Sequence, residues 1–166
     1  MSAVIQLKPY QNETDTALSL IQAFWLHHSY VEQTAEEAAR DLEAWTGDGH
    51  AFYLIQCQGQ VVGFLHLGSR GGPIDWLEEL FILPAWQNQG IGTETIRQAE
   101  EMVQVYSDAV HIEAVARNEG AIRLYRRLGY DCLNSITIRK DLRDTGFRCL
   151  RQEKLYDLPF EIRKKD

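Results

Sequence analysis

The chain has 166 residues, 45% hydrophobic and 25% charged, and its 17 Lys and Arg against 24 Asp and Glu give a formal net charge of −7. That length suits a single domain, here taken as residues 1–166. No apolar run nears the roughly 18–20 residues of a membrane span and the N-terminus carries no export signal, so a cytoplasmic protein off the membrane is expected. The negative charge disfavours nucleic acid and favours cationic small molecules or basic peptides.

Cys57, Cys132 and Cys149 form no CxxC pair, and their odd number argues for free thiols over a disulfide framework. The histidines His27, His28, His50, His66 and His111 have no metal-ligand spacing, so no metal is expected.

In chain order, "AVIQLKPY" reads as a first strand. Residues 13–28 place Ala17, Leu18, Ile21, Phe24, Trp25 and His28 at helical spacing. A second helix opens at Thr34, where Glu37 completes a capping box. "AFYLIQC" and "VVGFLHLGS" flank a Gln58-Gly59-Gln60 turn as a hairpin, and "IDWLEELFIL" forms the next strand. A helix follows from Gly92 to about Tyr106, with Arg97 and Glu101 paired one turn apart. "AVHIEAVA" returns to strand, "NEGAIRLYRRLGY" to a helix closed by Gly129, and "DCLNSITIRKDL" to strand. Residues 143–166 form a C-terminal extension in which "LYDLPFEIRKK" reads as a helix or an added strand. The order predicts an α/β fold of α+β type, a mixed central sheet with helices on both faces.

Between the third long strand and its helix lies "PAWQNQGIGTET", residues 84–95. Thr95 stands where a dinucleotide fingerprint needs its third glycine, and no Lys-Ser or Lys-Thr follows, which disfavours a Rossmann site and excludes a P-loop. Unpaired N–H groups opening a helix still meet an anion with the positive end of the helix dipole, and glycine lets phosphate approach the backbone. A plain strand-to-helix turn explains the glycines equally well.

"Q-N-Q-G-I-G" from Gln87, followed by "N-E-G-A-I-R-L-Y-R-R-L-G-Y" from Asn118, resembles the two signatures of the GNAT superfamily of N-acetyltransferases, in the family's order. The resemblance covers roughly residues 3–142. It implies the GNAT acyl-CoA N-acyltransferase fold and acetyl-CoA as donor. Its pyrophosphate would rest on backbone N–H groups of Gln87, Asn88, Gln89, Gly90, Ile91, Gly92 and Thr93. The pantetheine arm would run beside Leu80, Phe81 and Ile82, with Asn118 and Tyr125 also at the cofactor, between parallel strands 76–83 and 109–116 that splay apart. Many relatives carry Arg or Lys in the loop where this chain has Gln87, Asn88 and Gln89. Arg97, Arg123, Arg126 and Arg127 are then possible partners of the 3′-phosphate or plain surface residues.

An amine of pKa near 10.4 is only about one part in 2,500 neutral at pH 7, a deficit of roughly 4–5 kcal/mol, so acetyl transfer benefits from a base. Glu78, Glu79 and Glu113 lie in otherwise apolar strands. Strict alternation puts Trp76, Glu78, Leu80 and Ile82 on one face and Leu77, Glu79, Phe81 and Leu83 on the other. "LEELFILP" is similar to the "LE-x-x-FVLP" pattern of aminoglycoside 6′-N-acetyltransferases, which favours Glu78. Glu113, five residues before Asn118, matches the base position of ribosomal-protein N-terminal acetyltransferases. The resemblance makes Tyr125 the acid for the departing thiolate; core packing is its other reading. Trp25, His28, Tyr30, Glu36, Glu37 and Asp41 fall in the region that covers the acceptor in relatives. The expected activity is acetyl transfer to a primary amine, either a small cation such as an aminoglycoside or polyamine or a peptide or protein amine. The alternative is a non-catalytic acyl-CoA-binding sensor. A homodimer is common in the family and the sequence leaves assembly open.

Overall fold

A computed structural model of the chain describes residues 4–165. They fall into two compact units, one up to Glu113 and one from Ala114 on. The first contains five strands in spatial order β1-β2-β3-β4-β5. These are β1 (Ile5–Pro9), β2 (His50–Cys57), β3 (Gln60–Gly68), β4 (Trp76–Ile82) and β5 (His111–Ile112). The first four are antiparallel neighbours, and β4 and β5 are parallel, giving the mixed sheet expected. The expected first strand began at Ala3, which lies outside the described residues.

Helices α1 (Thr14–Ser29) and α2 (Ala35–Thr46) cover one face and α3 (Ile91–Val103) the other. The α1 stripe buries Ala17, Leu20, Ile21 and Phe24 against Phe52, Leu54, Phe64 and Phe81 of the sheet. Thr34 and Glu37 make the capping box reciprocally, fixing where α2 starts. On the opposite face Ile91 packs among Ile5, Ile55, Cys57, Val62 and Ile82. Gln58 and Gly59, both at positive φ, make the tight β2–β3 turn. All three cysteines are free thiols.

The second unit holds α4 (Glu119–Arg127) and a hairpin of β6 (Phe147–Leu155) and β7 (Leu158–Lys165). Asn118 caps α4 by accepting from the Ala121 N–H at 3.2 Å, and Gly129 at φ 101° ends it in the left-handed conformation. Asp141 accepts from Thr145 and Arg163, tying the preceding loop to β7.

Two strand expectations need correction. The run 109–116 pairs only at His111 and Ile112, because β4 changes register just beyond the point where they meet. Residues 131–142 form no strand: none of them enters a ladder among the described residues, and Leu133 and Ile138 are 75% and 70% exposed. The extension 143–166 supplies the β6–β7 hairpin instead, so its second half is strand rather than helix.

Gly63 of β3 pairs with Ile82 of β4. A Cβ there would collide with the Phe81 carbonyl oxygen and lie 3.1 Å from Ile82 Cα, neither of which can swing aside. Gly63→Ala is expected to cost about 2–3 kcal/mol, read as a lower urea midpoint at unchanged slope.

Candidate active site

Strand β4 departs from strict alternation. Glu79 pairs with His66 and Leu77 with Leu67, so the register shifts and Glu78 is the extra residue of a bulge. A Cβ on Gly68, which lies on the His66 face, would stand 2.8 Å from Glu78 Cγ, so Glu78 lies over Gly68. Glu78 and Glu79 therefore project from the same face, toward α1 and α2. This corrects the alternation reading, which put them on opposite faces. Past Leu77 no residue of β4 pairs with β5, so the 78–82 segment has a free edge on that side among the described residues.

Arg70, from the glycine-rich loop after β3, joins the two carboxylates singled out in the sequence. Its Nε and Nη2 donate to both Glu78 oxygens at 3.0 and 2.8 Å, and its Nη1 donates to Glu113 Oε2 at 2.5 Å. The guanidinium also lies 3.9 Å from the Trp76 ring centre, and Trp76 stacks on His111. The Arg70 hydrogen bonds hold the Glu78 carboxyl below its ordinary range, helped by the charges of Arg70, His66 and His50 and opposed by burial.

Beside this clamp runs a second polar line that the sequence reading did not assemble. His66, 2% exposed, meets Glu79 Oε2 through Nδ1 and lies 2.8 Å from His50 Nδ1 through Nε2. Trp45 of α2 stacks on the His66 ring at 5.1 Å and 18°. His66 sits in an apolar run and its partners are 16 and 13 positions away, so only the strand register could have revealed the line.

The loop after β4 offers what an anion needs. Gly90 takes φ 80° as the N-cap of α3, and no side chain caps that helix. A Cβ on Gly90 or Gly92 would meet nothing within 4 Å, so both flank open space. The first helical bond is that from Glu94 N–H to Gly90, which leaves the N–H groups of Ile91, Gly92 and Thr93 without helical acceptors. Asn88, at φ 59°, Gln89 and Thr93 are exposed. Gln87 donates its side-chain amide to the Ile82 carbonyl at 2.8 Å, pinning loop to strand. The Ile91 and Phe81 side chains are core, leaving their backbones as the parts free to serve a ligand. Thr95, in the place of a third glycine, bonds back to the Ile91 carbonyl inside the helix. The loop thus fits a pyrophosphate held by backbone dipoles.

Other expected residues are engaged elsewhere. Arg97 pairs with Glu94 and Glu101, and Arg123 with Glu119. Asp41 accepts from Trp25 Nε1 and Gln33, and Glu37 serves the capping box. Tyr30 is the left-handed cap of α1, and His28 stacks on Phe24. In the second unit Asn118 caps α4, while Tyr125 packs edge-on to Tyr130 with burial pushing its phenol up, so it stays protonated at neutral pH. No helix among the described residues is long and apolar enough to cross a membrane.

The site thus consists of a five-stranded mixed sheet whose fourth strand leads through an uncapped glycine turn into a helix. The sequence profile described as "Acetyltransferase (GNAT) family" matches residues 17–130, and the chain belongs to that family. Its fold is similar to that of the aminoglycoside N-acetyltransferase AAC(6')-Iy in complex with CoA, at 14% identity and TM-score 0.66, over 86% of this chain and 98% of that one. It is similar to the aminoglycoside acetyltransferase meta-AAC0020 from an uncultured soil metagenomic sample in complex with sisomicin, at 14% identity and TM-score 0.62, over 84% and 97%. A transcriptional regulator from Bacillus halodurans C-125 is also similar, at 12% identity and TM-score 0.64, over 84% and 100%. The sequence matches no curated protein.

Glu78 has an ordinary carboxyl value of 4.5 and a lower one in the fold. Its clamp therefore contributes stability that is full above the ordinary value and is lost as pH falls through the lowered one. Arg70→Ala is expected to move the Glu78 titration upward, as read by carboxyl NMR.

Proposed function

We propose that this protein is an N-acetyltransferase that moves the acetyl group of acetyl-CoA directly to a primary amine on a small cationic molecule, of which aminoglycosides and polyamines are the leading classes. The observation that carries the reading is the uncapped N-terminus of α3, with open space at Gly90 and Gly92, placed straight after a strand whose outer edge is free. The loop from Gln87 to Thr93 holds the pyrophosphate on backbone N–H groups. Leu80, Phe81 and Ile82 offer backbone to the pantetheine arm. Bound there, acetyl-CoA supplies an activated acetyl group with a thiolate as leaving group.

The chain's residues do the rest. A backbone N–H on the free edge near Ile82 polarises the acetyl carbonyl. Tyr125, which holds its phenol proton at neutral pH, protonates the departing sulfur. Asn118 steadies the cofactor end of α4. Glu78 and Glu113, once opened from Arg70, supply negative charge for an ammonium. Of the base candidates read from the sequence, Glu78 has both oxygens on Arg70 and Glu113 has one, so Glu78 can take a proton only when Arg70 releases it. Support comes from family membership and from the aminoglycoside acetyltransferases whose fold is similar.

The second reading, an acyl-CoA-binding sensor without catalysis, is favoured by the similar fold of a transcriptional regulator. Calorimetry with CoA and timed release of free thiol across a panel of amines separate the two. The enzyme reading expects CoA binding and acceptor-dependent thiol; binding without thiol supports the sensor. Tyr125→Phe is expected to lower kcat by about 10²-fold with the CoA dissociation constant within about twofold.

A further inference from the structure

Resting on the N-acetyltransferase reading, we infer that Glu79, held by His66 and His50, is the group that takes the proton from the attacking amine. Three observations lead there. Both Glu78 oxygens already accept from Arg70, and Glu113 accepts from the same guanidinium. Glu78, with both oxygens held, is therefore a poor proton acceptor until the clamp opens, while Glu113 lies just past the paired residues of β5 with a side chain 63% exposed. Glu79 needs no such release: its Oε2 faces His66, its Oε1 has no hydrogen-bond partner among the described residues, and its side chain is 25% exposed. The bulge turns it to the same face as Glu78, on the segment of β4 with the free edge.

The histidines orient this carboxylate. With Glu79 ionised, His66 must donate from Nδ1, which leaves its Nε2 to accept from His50 Nδ1. The stacked Trp45 ring fixes the plane of His66. His50 is half-buried and lines a cavity of about 230 Å³ with Tyr10, Thr46, Phe52 and Tyr53, so the outer end of the line is reachable from outside the core. Other charged groups facing the line are Glu78 and, through it, Arg70. In the step an N–H bond of the substrate ammonium breaks and an O–H bond forms at Glu79 Oε1. The electron pair left on nitrogen attacks the acetyl carbon and the C–S bond breaks; the thiolate takes the Tyr125 proton, the second N–H proton released from nitrogen restores the phenol, and the Glu79 proton returns to solvent, one per turnover. Glu79 is a catalytic residue in this assignment, and His66 and His50 are positioning residues.

The test compares Glu79→Gln, Glu78→Gln, Glu113→Gln and His66→Gln in the full chain, each first checked for CoA affinity by calorimetry. Acetyl transfer is measured to a basic primary amine and to hydroxylamine, which is already neutral at pH 7 and needs no base. Glu79→Gln is expected to lose about 10²-fold or more in kcat on the basic amine and less than about threefold on hydroxylamine. His66→Gln is expected to shift the acid limb of the kcat/KM pH profile, and serves as the independent readout should Glu79→Gln not fold. The assignment is overturned if Glu79→Gln keeps its rate on the basic amine, or loses equally on both acceptors. An unmoved pH profile in His66→Gln overturns it too. Wild-type protein that binds CoA but acetylates nothing removes the parent reading, and this assignment with it, by a different result.

Discussion

One extra residue in β4 organises the site. Pairing of Glu79 with His66 and of Leu77 with Leu67 leaves Glu78 unmatched, and a two-for-one mismatch bends a strand and increases its twist. β5 stays with β4 only as far as Leu77, so the outer backbone of the next five positions is unpaired by strand. The same mismatch brings two consecutive carboxylates to one face, where each finds a different partner: Arg70 for Glu78 and His66 for Glu79. Gly68 is needed beneath the first, since a side chain there would meet the Glu78 stem. The strand edge left unpaired and the two differently partnered carboxylates both descend from that mismatch.

The glycine loop after β4 is built on a separate economy. Most helices satisfy their first N–H groups with a capping side chain, as Thr34 does for α2 and Asn118 for α4. Helix α3 does without one. Its N-cap is a glycine in the left-handed region, and the side chain that fixes the loop, Gln87, reaches back to β4 rather than forward to the helix. The loop is thus anchored while its N–H groups stay available. Rigidity on the strand side and vacancy on the helix side are what a phosphate-binding turn requires.

Much of the fold was legible in the sequence because local signals carried it. Periodicity placed α1 and α3, the Thr34 and Glu37 pair fixed the start of α2, and Gly59 and Gly129 marked the turns that positive φ demands. Strands whose existence depends on a neighbour were less legible. Residues 131–142 have the composition of a strand but no ladder, and 109–116 keeps only the two positions that β4 reaches. The site divides along the same line. The glycine turn announced itself in consecutive residues, whereas the bulge at Glu78 is a relation between two strands and leaves no mark in either alone. The faces of Glu78 and Glu79 were therefore misread, and the His50, His66 and Glu79 line went unseen.

Two indoles rest on imidazoles here, Trp45 on His66 and Trp76 on His111. A ring in van der Waals contact with an imidazole feels any positive charge that arrives there, and indole fluorescence responds to such a charge. Of the four tryptophans only Trp45 rests on His66, so with Trp25, Trp76 and Trp86 replaced its emission reports on that imidazole without an added label.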